Sequence, residues 1–306
     1  MSLPDDYLKY PKRGHGMDHD RYTWSQLHER PNVAWPNGAR VALWVVTQLQ
    51  WFPMDMKPAV PVPGGMARPY PDSWNYTLRD YGNRIGVFRL FKVLDKLGIK
   101  GSVAMNSALA EMVPYLVEQV NRRGWELIAN GLDMGHPHHG DMDRDEEAAL
   151  IRGVLETLRG LSGQPVRGWL SPIRSESMNT PDLVAAEGID YICDWANDDM
   201  PYEFRTASGP IHNMPHAMEI DDQQVLITLR HTEQEYVDQL KDQFDCLYRE
   251  SESKGGRIMA ISLNPWVTGQ AYRIKALEGA LSYIMGHDGV WSATGSEILD
   301  AFKGQA

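Results

Sequence analysis

The chain has 306 residues with 41 acidic and 30 basic side chains, and its formal net charge of −11 disfavours nucleic acid and anionic membranes as partners. Hydrophobic residues make up 42% and charged residues 23% of the chain, which is ordinary for a globular protein with a large buried core. The two cysteines, Cys193 and Cys246, lie outside any CxxC pair, so neither a disulfide framework nor a cysteine zinc site is indicated.

The amino-terminal residues 1–38 are polar, rich in Pro, Gly and His, and without periodicity. We expect an extended arm that packs over a surface and helps to form an oligomer interface, with a frayed tail as the alternative. No basic segment followed by an apolar one opens the chain, and no apolar run reaches membrane-spanning length. We therefore expect a cytoplasmic protein.

Residues 39–306 are predicted to form one domain that begins with a strand. Residues 40–49 are apolar and rich in β-branched side chains, which predicts a buried strand. Residues 53–79 are full of Pro and Gly and predict a long loop. Loops of this length in a compact domain usually serve as a lid or as a wall of a functional site.

Apolar strands then alternate with amphipathic helices. The predicted strands lie at residues 100–105, 125–129, 166–170, 189–193, 211–214, 258–263 and 290–293. The predicted helices lie at residues 81–97, 108–123, 144–161, 180–187, 234–252 and 274–285, followed by a terminal helix capped by Thr294 and Glu297. This alternation predicts a parallel sheet with crossover helices, and seven or eight such units favour a barrel over an open sheet.

Polar side chains follow the predicted strands. They are Gln50, Asn130, Arg174, Asp194, His216 and Asn264. Because the carboxyl ends of the strands of a barrel converge on one mouth, we expect a functional site there. For Asn264 an equally good interpretation is a turn residue, because Pro265 follows it and Asn-Pro commonly opens a turn.

Several charged groups near these strand ends have two interpretations. Arg174 and Asp194 are expected to form an ion pair, either one that orients water or substrate or a structural salt bridge. Asp198 and Asp199 are a catalytic carboxylate pair or simply turn residues. The His-Pro-His-His run at 136–139 is expected to be a polar loop that touches substrate, because three histidines so close together rarely reach one metal ion.

Short runs in order along the chain resemble the polysaccharide deacetylase (NodB-homology) family, and within it the cytosolic branch that includes the metal-independent allantoinase. These runs lie at residues 80–86 (Asp-Tyr-Gly-Asn-Arg-Ile-Gly), 171–174 (Ser-Pro-Ile-Arg), 179–181 (Asn-Thr-Pro), 194–202, 264–269 (Asn-Pro-Trp-Val-Thr-Gly) and 290–294. The resemblance implies an α/β fold, a distorted (β/α) barrel of about seven parallel strands. It also implies hydrolysis of carbon–nitrogen bonds other than peptide bonds.

The chain departs from the family at the metal ligands that the resemblance implies. The carboxylate after the first strand falls near Gln48 or Gln50, and the two histidines fall at Asn130 and Asn264. Amide oxygens are poor zinc ligands compared with imidazole or carboxylate. The expected cofactor is therefore none, with no metal ligands among the site residues.

Two hypotheses follow. The first is a metal-free hydrolase of a small amide, ureide or cyclic imide, in which amides and Arg174 bind the substrate and a carboxylate or histidine, with Glu219 also a candidate, activates water. The second is a catalytically inactive binding or regulatory subunit that pairs with an active relative. A homo-oligomer is expected for the first. The predicted catalytic residues are Arg174, Asp194, Asp199 and His216, and the predicted substrate-binding residues are Gln50, Arg84, Asn130, Asn264 and Trp266.

Overall fold

A computed structural model describes residues 19–56 and 71–305 of the chain. The first half of the predicted arm and the centre of the predicted Pro- and Gly-rich loop, residues 57–70, lie outside the described residues. Within the described ranges, no helix combines the length and the apolar character that crossing a bilayer requires.

The strands of the described ranges form one sheet. They are β1 (Val41–Leu49), β2 (Gly101–Met105), β3 (Glu126–Ala129), β4 (Gly168–Trp169), β5 (Tyr191–Ile192), β6 (Tyr202–Phe204), β7 (Ile211–Asn213), β8 (Arg257–Leu263) and β9 (Val290–Ser292). Their order is β6-β7-β5-β4-β3-β2-β1-β8, and β9 pairs with the first residues of β1. The seven strands from β7 to β8 in this order are parallel to one another, and β6 is antiparallel to β7.

Helices follow most of these strands, as crossover connections require. They are α1 (Ser73–Tyr81), α2 (Val87–Leu97), α3 (Ser107–Met112), α4 (Pro114–Arg122), α5 (Arg144–Ser162), α6 (Thr180–Ala186), α7 (Glu233–Lys254), α8 (Ile274–Met285) and α9 (Gly295–Lys303). A wide helical turn, Gly82–Gly86, joins α1 to α2 without a break in the helical backbone.

The sheet curls so that distant strands meet inside it. Trp44 of β1 lies with its ring 6.2 Å from the ring of Tyr191 of β5, although three strands separate β1 from β5 in the sheet. The Tyr191 hydroxyl donates a hydrogen bond of 2.8 Å to Glu126 of β3. The predicted α/β fold, a distorted barrel, is confirmed as a mixed sheet curled into a half-barrel with surrounding helices. Among the described residues, β8 and β7 do not pair with each other, which leaves a seam.

β1 is buried along its whole length because both of its faces are covered. Val41, Leu43 and Val45 pack in the outer core beneath the helices. The alternating residues Trp44 and Val46 pack in an inner core inside the half-barrel. The inner core also contains Ile298 and Leu299 of α9, so this helix closes the end of the half-barrel opposite the mouth.

The structure corrects three of the predicted elements. The helix predicted from residue 81 already begins at Ser73, where the Asp72 carboxylate caps it by accepting a 2.9 Å hydrogen bond from the Asn75 amide. The helix predicted at 108–123 is divided at Val113, because Pro114 starts a new helix. The short antiparallel strand β6 was not predicted, because three residues are too few to show a period.

Residues 19–38, the described half of the predicted arm, lie against the half-barrel. Arg21 pairs with Asp182 at 2.6 Å, and Arg30 pairs with Asp198 at 2.6 Å. Trp35 is buried and donates a 2.8 Å hydrogen bond from its indole to the Arg257 carbonyl at the start of β8. The arm therefore runs beside the seam. Its predicted role in an oligomer interface remains a prediction.

We expect Gly86→Ala to destabilise the fold by about 1–3 kcal/mol, because a Cβ at this position would lie 2.1 Å from the Pro265 carbonyl oxygen. Gly153→Ala in α5 is the matched control, because a Cβ there meets no atom within 4 Å and removes the glycine cost of about 0.5–1 kcal/mol from the helix. Chemical denaturation measures both free energies of unfolding. Equal effects of the two substitutions would contradict this packing of Gly86.

Candidate functional site

A cavity of about 410 Å³ opens at the carboxyl ends of the strands. Gln48 lines it from β1, Gln50 from just after β1, Arg174 from the turn after β4, and Asp194 from the loop after β5. Asp221, in the segment between β7 and α7, completes the polar wall. We call this space the mouth cavity. Its position at the strand ends is the one that the sequence predicted.

The turn that carries Arg174 is strained. Ile173 and Arg174 have φ angles of 50° and 56°, in the left-handed region that a β-branched residue rarely adopts. The turn is held closed by a 2.8 Å hydrogen bond from the Arg174 amide to the Ser171 carbonyl. A Cβ on Gly131 would lie 2.3 Å from the Pro172 ring, so only glycine at 131 leaves room for this turn. Strain of this kind collects at functional sites.

The Arg174 guanidinium does not form the ion pair with Asp194 that the sequence predicted. Its Nη1 donates to the His216 carbonyl at 2.8 Å, and its Nη2 donates to the Ala217 carbonyl at 3.3 Å. A guanidinium has about five N–H donors, so about three of them make no bond to a described residue. Arg174 therefore offers positive charge and unused donors to the mouth cavity.

Asp194 is held by the turn instead. Its two oxygens accept hydrogen bonds of 2.8 Å from the backbone amide and from the hydroxyl of Ser171. Burial raises its pKa above the ordinary value, although hydrogen bonds from Glu176 and Ser171 oppose the shift. Asp194 was predicted to pair with Arg174. It instead holds Ser171, at the start of the turn that carries Arg174.

Glu176 is hydrogen-bonded to Asp194. Burial, and next the charge of Asp194, raise the pKa of Glu176 well above its ordinary value. Its Oε2 accepts a 2.9 Å hydrogen bond from the Trp195 indole, and its Oε1 accepts none from the described residues. A protonated Glu176 that donates to Asp194 satisfies both carboxyl groups, as in other buried carboxyl pairs.

A second polar network centres on Asp221. The amide nitrogens of Gln48 and Asn264 both donate to its carboxylate at 3.2 Å. Gln50 donates in turn to the Gln48 carbonyl oxygen at 2.6 Å. Burial raises the pKa of Asp221 above its ordinary value.

Asp222 lies behind this network and holds the turn after β8. It accepts a 2.9 Å hydrogen bond from the Asn264 backbone amide and a 2.6 Å hydrogen bond from the Thr268 hydroxyl. Burial, and next the charge of Asp221, raise its pKa to about 8. The Asn264 side chain therefore donates to both Asp221 and Asp222. Its carbonyl also accepts a 2.8 Å hydrogen bond from the Val267 amide, as expected of the turn residue that was its second interpretation.

The residues at the implied metal-ligand positions do not fit a metal ion. The NH2 groups of Gln48 and Asn264 point at Asp221, so these side chains act as hydrogen-bond donors on this side of the mouth. Asn130 is buried, does not line the mouth cavity, and its side-chain nitrogen bonds to no described residue. Among residues 19–56 and 71–305, no three His, Cys, Asp or Glu side chains are placed to hold one ion.

The other predicted site residues lie outside the mouth cavity. Arg84 is on the surface with its side chain 75% exposed, beside Asp80, and this corrects its predicted role. Trp266 is buried under the guanidinium of Arg79, 4.6 Å from its ring centre, so it packs below the mouth. His216 and Asp199 line a different cavity, at the seam.

Two of the three histidines of the 136–139 loop pair with different carboxylates. His136 pairs with Asp133 at 2.7 Å. His138 is fully buried and its Nδ1 lies 2.9 Å from a Glu147 carboxylate oxygen. Ser177 and Thr180 also donate to Glu147, so the buried group ties this loop to the segment after Arg174.

Sequence reasoning missed Glu176, Asp221 and Asp222. Glu176 lies two residues beyond Arg174 in a turn, with no strand end to mark it. The adjacent acids at 221 and 222 lie eight and nine residues after β7, followed by a short wide helical turn. The one available signal was an uninterrupted acidic pair close to a predicted strand end, which was noted for Asp198 and Asp199 instead.

Residues 74–192 match the family model described as polysaccharide deacetylase. A putative polysaccharide deacetylase of Schizosaccharomyces pombe is 23% identical over 246 residues, which cover 73% of this chain and 74% of that protein. The predicted resemblance to the polysaccharide deacetylase family is confirmed.

Several solved structures share the fold of this chain. The structure of PuuE allantoinase matches with a TM-score of 0.81 and 22% identity over 97% of this chain and 98% of that one. A probable polysaccharide deacetylase from Pseudomonas aeruginosa PAO1 matches with a TM-score of 0.80 and 24% identity over 97% and 99% of the two chains. At these identities the likeness establishes the fold.

We expect the purified protein to carry well under one divalent metal ion per chain, because donor amides occupy the implied ligand positions. Elemental mass spectrometry of protein purified without chelator measures the content. A zinc or similar ion at close to one per chain would contradict the donor assignment of Gln48 and Asn264. A Gln48→Ala variant that lost such an ion would locate it in the mouth cavity.

Proposed function

We propose that this protein hydrolyses a carbon–nitrogen bond, other than a peptide bond, in a small amide, ureide or cyclic imide, without a metal ion. The observation that supports this most directly is the mouth cavity itself. It is lined by an arginine with unused donors and by Asp194, whose carboxyl group is hydrogen-bonded to Glu176, a residue with a raised pKa. Hydrolysis of an amide needs these two capabilities, stabilisation of an oxyanion and transfer of protons.

Arg174 is the group that stabilises negative charge on the substrate. Two of its donors hold the carbonyls of His216 and Ala217, which keeps the guanidinium in place before substrate binds. The remaining donors face the substrate carbonyl oxygen, which becomes an oxyanion when water adds to its carbon. A donor that is already oriented stabilises that charge without reorganising.

Asp194 is the general base. It takes a proton from the attacking water as the oxygen bonds to the carbonyl carbon. The C–N bond then breaks, and the leaving nitrogen takes a proton from the carboxyl pair. The products are a carboxylic acid and an amine or amide nitrogen, and the pair again shares one proton. Glu176 holds its proton because burial and the charge of Asp194 favour the neutral acid.

The size and lining of the cavity support a small substrate. A space of about 410 Å³ lies at the small end of ligand pockets, which span roughly 300–1,000 Å³. Leu170 and Met134 supply apolar wall, while Gln50 offers amide hydrogen bonds. Two of the similar proteins are named deacetylases and one is named an allantoinase, and all three names describe cleavage of bonds of this general kind.

We expect Arg174→Ala to lower kcat by about 10²–10³, the usual cost of removing an oxyanion donor. The assay is a panel of cyclic imides, ureides and N-acyl compounds followed by product formation. Arg152→Ala, which removes an exposed arginine paired with Glu187 on the outer surface, is the matched control and should leave kcat unchanged. Turnover that survives Arg174→Ala at the parent rate would remove Arg174 from the mechanism.

A protein that turns over no compound of the panel would instead support the inactive-subunit hypothesis. In that case, purification from the native source should yield a related chain bound to this one. A pure homo-oligomer with measurable turnover would exclude it.

We expect a bell-shaped dependence of kcat/KM on pH. Asp194 must be ionised to accept a proton, so activity falls as the pH drops through its pKa, which burial raises above the ordinary value of about 4. Glu176 must be protonated, so activity falls again as the pH rises through its raised pKa.

The Glu176→Gln variant distinguishes the acid limb of the pH profile from the alkaline limb. Gln keeps a hydrogen bond to Asp194 but has no proton to lose, so the alkaline limb should disappear while kcat falls. Glu252→Gln, an exposed carboxylate paired with Arg40, should keep the parent profile. An alkaline limb with an unchanged midpoint in Glu176→Gln would assign that limb to another group.

A further inference from the structure

A second cavity of about 410 Å³ lies at the seam between β7 and β8. We call it the seam cavity and define it by Asp199 and Glu219 at its rim, His216 and Arg257 within it, and Ala260 on its wall. It is separate from the mouth cavity, although Ala196 lines both. None of the proposed hydrolytic chemistry uses its charged groups.

Arg257, the first residue of β8, is a buried cation whose hydrogen-bonding capacity is unused. Its side chain is 3% exposed and donates no hydrogen bond to a described residue. The nearest acidic oxygens are long contacts, 3.5 Å from Nη2 to Asp199 and 3.4 Å from Nε to Glu250. A buried guanidinium without hydrogen bonds is costly, and a ligand oxygen at this place would satisfy it.

His216 gives a second, independent sign of a missing partner. Its imidazole is buried, lines the seam cavity, and neither ring nitrogen bonds to a described residue. Burial, and next the charge of Arg174, lower its pKa well below the ordinary value. The neutral ring therefore presents one donor and one acceptor to whatever fills the cavity.

The charges around the cavity restrict the ligand. Arg30 and Asp198 neutralise each other in an ion pair of 2.6 Å. The remaining lining charges are the cation of Arg257 and the carboxylates of Asp199 and Glu219, which stand exposed at the rim. A simple anion meets two carboxylates on entry, and a simple cation supplies no oxygen for the hydrogen bonds that Arg257 does not make with Asp199 and Glu250. A molecule that carries a carboxylate at one end and an ammonium at the other satisfies both ends.

We propose that the seam cavity binds a small zwitterionic amino acid, with its carboxylate on Arg257 and its ammonium group toward Asp199 and Glu219. The bound molecule contacts His216 and Ala217, whose carbonyls hold Arg174. The seam site therefore adjoins the mouth cavity through the backbone of this loop. The proposal does not depend on the hydrolytic function.

The test is isothermal titration calorimetry of the full chain with glycine, β-alanine and γ-aminobutyrate, and with acetate and methylammonium as single-charge probes. We expect saturable binding of at least one amino acid at a single site. Acetate and methylammonium should each bind at least about tenfold more weakly. No saturable binding of any of the three amino acids at millimolar concentration would overturn the proposal, as would acetate that binds as tightly as they do.

Variants locate the site. The double variant Asp199→Asn, Glu219→Gln should weaken amino-acid binding by about tenfold or more, because it removes the two rim carboxylates that face the ammonium group. Glu252→Gln, an equally exposed acid outside both cavities, is the matched control and should bind like the parent protein. Unchanged binding in the double variant would place the ligand elsewhere and overturn the assignment.

Arg257→Lys tests the inner end of the site. Lysine keeps the charge but loses the two-pronged geometry, so the carboxylate contact weakens. A melting curve decides whether this buried substitution folds. If it does not, the rim variants and the single-charge probes decide the proposal alone.

Discussion

The packing of Trp44 against Tyr191 inside the half-barrel is the constraint on which both cavities depend. These side chains belong to β1 and β5, and they meet only because the sheet curls through the strands between them. Two glycines make room for the tyrosine. A Cβ on Gly168 would lie 2.3 Å from the Tyr191 ring, and a Cβ on Gly295 would lie 2.6 Å from its hydroxyl. The curl brings the carboxyl ends of distant strands into one mouth, and among the described residues it stops short of closing, which leaves the seam.

The mouth contains more buried carboxyl groups than nearby cations can neutralise. Asp194, Asp221 and Asp222 are all raised in pKa by burial, and Arg174 is the cation that lies among them. The protein manages this charge in two ways. The raised pKa of Glu176 favours its neutral form beside Asp194, and amide and hydroxyl donors surround Asp221 and Asp222. Buried charge that is bonded in this way costs far less than isolated charge.

The amides in the mouth therefore have a structural reason to be there. Gln48 and Asn264 place their NH2 groups on Asp221, and a carboxylate or a neutral acceptor at either position would remove one of the donors that stabilise that buried charge. In the sequence, Gln48 and Asn264 stand at positions where the resemblance implies metal ligands. In the folded chain both side chains donate hydrogen bonds to Asp221, an acidic residue that the sequence analysis did not identify.

The sequence by itself determined most of the elements and the location of the mouth. Helical periodicity and caps marked α8 at its observed bounds and the start of α9 at Thr294, because these signals depend on neighbours within one or two turns. The rule that strand ends converge placed Gln50, Arg174 and Asp194 in one cavity. Only the tertiary structure decided which polar groups touch. The degree of curl of the sheet and the paths of the loops decide that Glu176 meets Asp194 and that Gln48 meets Asp221. They also place His216 and Asp199 in the seam cavity. No local sequence pattern encodes the curl or the loop paths.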